Sequence, residues 1–90
     1  MAAVYNNTGT LQTNAHIVRG SVTGSNSTAT VTFTGSAVFT SNTSYTCTTT
    51  PATADNSRLI GITYTSGTAV AFSWTGNTAA ITFNYVCVGN

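Results

Sequence analysis

Over residues 28–34 the chain alternates without a break: Ala29, Val31 and Phe33 fall on one side, and Thr28, Thr30, Thr32 and Thr34 on the other. Successive side chains of an extended chain point to opposite faces, so a period of two marks a half-buried antiparallel strand. Further strands are expected at residues 17–22, 44–50, 59–65, 69–74 and 80–88, each bounded by turn residues. Ala37, Val38 and Phe39 form either a strand end or an ordered loop, and Pro51 closes the strand before it because proline cannot donate to a ladder. Ser66-Gly67 and Gly76-Asn77 read as two-residue hairpin turns, which makes residues 69–74 a strand shared by two hairpins. No window has apolar residues at three- and four-residue spacing, and the Thr, Ser, Asn and Gly content opposes a helix. The expected fold is all-β: a small antiparallel β-sandwich of six to seven strands with no helix. Residues 1–14 are polar and aperiodic and read as an arm from an upstream segment, with the sandwich over residues 15–90.

The chain is also nearly free of charge. Its 90 residues hold Arg19, Arg58, Asp55 and His16 as the only ionisable groups of their kinds, against 21 threonines, 9 serines and 9 asparagines. Two arginines 39 positions apart cannot neutralise a run of phosphates, so nucleic acid is excluded as a partner. Paired-carboxylate catalysis needs a second acid. Nine aromatic residues and abundant Thr, Val and Ile argue for a folded chain rather than a disordered one. No apolar run is long enough to span a membrane as a helix, and the first residues carry no secretory signal pattern.

The residues able to carry chemistry are few. Cys47 and Cys87 share in-facing parity on separate strands. They form either a disulfide or a pair of buried free cysteines, and the second reading is preferred because no signal peptide points to an oxidising compartment. One His and two Cys without close spacing give no metal site, and no cofactor is expected. The candidate ligand-binding residues are Arg58 and Asp55, three apart in a polar loop, Trp74 beside a turn, and His16 at a strand start. The plainer readings are a surface ion pair for the first two, a core ring for Trp74, and a locally bonded side chain for His16. Val86 and Val88 add apolar positions on the second face of the last strand, which implies cover by a second sheet or another subunit.

The succession Phe39, Tyr45-Thr46-Cys47, Gly61-Ile62-Thr63-Tyr64-Thr65-Ser66-Gly67-Thr68 and Phe83-Asn84-Tyr85-Val86-Cys87-Val88-Gly89-Asn90 resembles C-terminal modules of bacteriophage tail fibres and related virion proteins, which are similar to the H-type lectin β-sandwich. Residues 16–90 carry the resemblance. It implies a six-stranded homotrimer at the tip of a virion fibre, made in the host cytoplasm, that registers three chains and attaches to a host-surface receptor, glycan or protein, without enzymatic activity. The alternative is a purely structural virion module, a fibre terminator or capsid decoration. A lectin site is not carried over, because its residues have no individual match. Small size and edge strands without charged gatekeepers independently favour association.

Overall fold

The computed structural model describes residues 3–25, 27–51, 60–74 and 80–90. Six strands, β1 (His16–Gly24), β2 (Thr28–Thr32), β3 (Tyr45–Pro51), β4 (Gly61–Ser66), β5 (Ala69–Ser73) and β6 (Ile81–Gly89), form two three-stranded antiparallel sheets. Their orders are β1-β6-β3 and β2-β5-β4. The all-β sandwich expected from the alternation is therefore present. The only helical piece among the described residues is one 3₁₀ turn, Gly35–Ala37, where the sequence left a strand end or loop open.

Each strand sends one parity inward. Ala29, Val31 and Phe33 meet Val70, Phe72 and Trp74 on one sheet, and these face Tyr45, Cys47, Phe83 and Cys87 on the other. Phe39 drops into the same core from the loop between β2 and β3. The rings gather in two groups. At one end Phe39 stacks on Tyr45 with centroids 4.3 Å apart, and Phe33 lies edge-on to both. At the other end Phe72 and Trp74 approach Phe83 edge-on. Offset and edge-on geometries of this kind add about 0.5–1.5 kcal/mol per pair beyond area burial.

Two expectations are corrected. Cys47 and Cys87 are directly opposed on β3 and β6 and form a disulfide, not two free thiols. Parity alone left both readings open, but the register places the two sulfurs in contact, and register is not readable from spacing. Second, β5 and β6 are not the arms of a hairpin, because they lie in different sheets. The Gly76-Asn77 turn assigned to that hairpin lies outside the described residues. The β4–β5 hairpin is present, with Gly67-Thr68 as its turn. Gly67 is needed there for space, since a Cβ would run into the Phe39 backbone, and Phe39 N–H donates to Gly67 O at 2.9 Å.

The disulfide closes a sequence separation of 40 residues. In chain-entropy terms such a loop contributes about 4 kcal/mol by restricting the unfolded chain. The double variant Cys47→Ala/Cys87→Ala should lose about that much stability in urea denaturation, and thiol titration of the unfolded parent should find no free cysteine unless it is first reduced.

Candidate functional site

The two outer faces of the sandwich differ in chemistry. On the β2-β5-β4 sheet, Thr28, Thr30 and Thr32 stand beside Ser73, Ala71 and Ala69, with Gly61 and Thr63 on the far strand. This face is small and hydroxylated and exposes no large apolar side chain.

The β1-β6-β3 sheet presents a graded surface. Register sets its rows as Ile17, Val88, Thr46; then Arg19, Val86, Thr48; then Ser21, Asn84, Thr50; then Thr23 and Thr82, whose hydroxyls are 2.7 Å apart. Ile17 is 55% exposed and Val86 41%. Rows two residues apart along a strand are separated by about 7 Å, so the surface passes from apolar to polar within about 20 Å.

Two clefts open along this sheet. One, of about 330 Å³, separates β3 and β6 near Tyr45, Thr46, Val88 and Gly89 from the arm. The arm is folded back as a small hairpin: Asn6 N–H donates to Thr10 O, Gln12 N–H donates to Val4 O, and Asn6 Oδ1 accepts from the Thr8 and Thr10 amides. The hairpin turns outward Tyr5, 60% exposed, and Leu11, 52% exposed. The other cleft, of about 480 Å³, is lined by Arg19, Gly20, Ser21, Asn84, Tyr85 and Val86, three directly opposed pairs of β1 and β6. Gly20 leaves room for the Tyr85 ring, since a Cβ there would lie 2.8 Å from the Tyr85 hydroxyl.

Of the residues singled out in the sequence, Trp74 and His16 line neither cleft. Arg58 and Asp55 lie outside the described residues. Trp74 is 4% exposed and packed edge-on to Phe83, so its face is not open as a stacking platform. His16 is half-buried where the arm meets β1. Its ring stacks on Phe39 at 4.4 Å, and its two nitrogens lie 3.1 Å from Asn14 O and 3.2 Å from Ala37 O. It ties the arm to the 3₁₀ turn rather than facing a cleft. Sequence reasoning did not place Arg19, Ser21 and Asn84 in a site. Their outward parity opposite Val18, Val22 and Phe83 was visible, but the pairing of β1 with β6 that joins them was not.

The polar contacts that hold this sheet to the other come from two tyrosines. The Tyr45 hydroxyl donates toward Ser66 O at 2.8 Å and Ala69 O at 3.0 Å, across the β4–β5 turn. The Tyr64 hydroxyl accepts from the Cys47 amide at 2.9 Å on the free edge of β3. Burial, with the neighbouring Tyr64 phenol adding to it, raises the Tyr45 pKa above its ordinary 10.0.

Comparison with protein-family models, with curated proteins and with solved structures returns no match.

The folded chain holds the Tyr45 proton more tightly than the unfolded chain does. Its contribution to stability is therefore complete below pH 10.0 and is lost as pH rises from there through the higher folded-state value. Urea midpoints should hold between about pH 7 and about pH 9 and fall above the ordinary tyrosine range. Tyr45→Phe should cost about 1 kcal/mol at neutral pH and show a shallower alkaline fall. An unchanged alkaline slope in that variant would assign the fall to another group.

Proposed function

We propose that this domain is a non-enzymatic attachment module of a virion fibre of the tail-fibre type, which self-associates as a trimer and binds a glycan on the host surface. The observation that carries this reading is the graded outer face of β1-β6-β3, where Ile17, Val86 and Val88 lie uncovered by the chain's own second sheet, beside a polar cleft. The sequence required cover for Val86 and Val88. The second sheet packs on the opposite face, which supports the reading that another subunit supplies the cover.

Magnitudes decide how much surface association needs. Complete burial of a Val or Ile contributes roughly 1.5–3 kcal/mol, and Ile17 and Val86 are already about half covered. Association costs roughly 4–15 kcal/mol in lost freedom, so these two side chains are insufficient alone. Tyr5, which shares the arm cleft with Val88, and Leu11 add further exposed apolar groups on the arm hairpin. The apolar end of the sheet is then the contact between copies, and the polar cleft lies at its rim.

A surface of hydroxyls and amides with little charge suits a hydroxylated partner, because such groups exchange hydrogen bonds with water and sugar without the desolvation cost of ions. One observation favours the second reading, a structural virion module without receptor binding: Trp74, Phe33, Phe39, Phe72 and Phe83 all turn inward, leaving no stacking platform among them.

Sedimentation at micromolar concentration should give a trimer, and Ile17→Asp/Val86→Asp should give a folded monomer with the same β-sheet circular dichroism. A monomeric parent would overturn the reading. With the trimer in hand, adsorption to bacterial cells and a glycan array separate attachment from the purely structural role.

A further inference from the structure

The cleft between β1 and β6 holds a cation that the other described residues leave unanswered. Arg19 is the only arginine, lysine, aspartate or glutamate among the described residues, and it makes no hydrogen bond or ion pair with any of them. It projects outward from β1, an edge strand of its sheet, in a chain that contains three charged side chains of this kind in all.

Its neighbours are set by register. Val86 stands directly opposite Arg19, and one row further Asn84 stands opposite Ser21. These four side chains share one face, with Thr48 and Thr50 continuing the two rows on β3. The set combines a planar guanidinium with fixed donors, an amide that both donates and accepts, a hydroxyl, and an aliphatic surface. The volume of about 480 Å³ is in the range of small-ligand sites and is open on one side.

We propose that this cleft binds a carboxylate-bearing sugar, a uronic acid or a sialic acid within a surface glycan. Arg19 takes the carboxylate in a two-bond fork, and Asn84 and Ser21 take ring hydroxyls about 7 Å away. A single arginine balances a single negative charge. A doubly charged phosphate would leave one of its charges unanswered here, and a nucleic-acid backbone with one at every step would leave most of its charge so. A neutral sugar would engage the hydroxyl and amide but leave the guanidinium without a partner. The inference rests on the glycan-binding reading and narrows it to an acidic saccharide at a named place.

Methyl glucuronide and methyl glucoside, titrated separately into the ¹⁵N-labelled full chain, test it. The glucuronide should shift the amide signals of residues 19–21 and 84–86 saturably, and the glucoside should bind roughly tenfold more weakly or worse, the discrimination expected for a charge-assisted fork. Arg19→Gln should abolish that preference, and Arg19→Lys should weaken glucuronide binding because an ammonium cannot form the fork. Thr30→Val, on the opposite sheet, should leave binding unchanged. Equal affinity for the two sugars, shifts that map away from the two segments, or glucuronide binding that survives Arg19→Gln would each overturn the proposal. A trimer that adsorbs to cells yet ignores glucuronide and sialic acid overturns this inference and leaves the attachment reading standing. A monomer that binds glucuronide at Arg19 does the reverse.

Discussion

The bond between Cys47 and Cys87 fixes β3 on β6 in one register, and the rest of the molecule is organised from that strand pair. β6 is the centre of its sheet, so its register with β3 and with β1 decides the face on which every side chain of three strands falls. A slip of one residue would send Phe83 and Tyr85 outward and draw Asn84 and Val86 into the core. A covalent link at a directly opposed pair removes that alternative. It does so in a chain whose threonines, being tolerable on either face, discriminate poorly between registers. The same pairing sets Arg19 against Val86 and Ser21 against Asn84, so the polar cleft is a by-product of the arrangement that builds the core.

Between the sheets, specificity comes from a small number of polar contacts set into apolar packing. The Tyr45 hydroxyl reaches the carbonyls that flank the β4–β5 turn, and the Tyr64 hydroxyl takes the Cys47 amide on an edge that would otherwise present a free donor. Edge strands are usually defended by charged side chains. Here a phenol from the opposite sheet does part of that work without introducing charge. Gly67 and Gly89 allow the backbones of residues 39–40 and 44–45 to pass within contact distance, which closes the same end of the sandwich.

Much of the fold was legible because period-two patterning is a local property. Ala29, Val31 and Phe33 announced their face, as did Cys47 and Cys87, and the six strands lie where alternation put them to within two residues at most ends. What failed was long-range. Gly76-Asn77 carries the local chemistry of a hairpin turn, yet β5 and β6 part company into different sheets, since turn residues report a change of direction and not the destination. The disulfide was missed for a related reason: parity allows two cysteines to meet, and only register makes them do so. The cleft combined both difficulties. Arg19 and Asn84 are 65 positions apart, and nothing in their own neighbourhoods links them, whereas Trp74 drew notice for sitting beside a turn and proves to be core. Arg58 and Asp55 drew notice for being charged, and they lie outside the described residues.

The sandwich has two unlike poles. The first turns of β1 and β3 and the last residues of β6 share one of them, where Asn90 N–H donates to Ser44 O and the arm hairpin lies against Thr43, Ser44 and Gly89. The opposite pole carries Gly24, Pro51 and Ile81. Force applied through both ends of the chain would part β1 from β6 one hydrogen-bonded pair at a time, like a zip. Force between either end and something held on the rows of Arg19 and Ser21 would run along the strands and load their hydrogen bonds together. On this register a load along the strands meets more hydrogen bonds at once than one that peels β1 from β6.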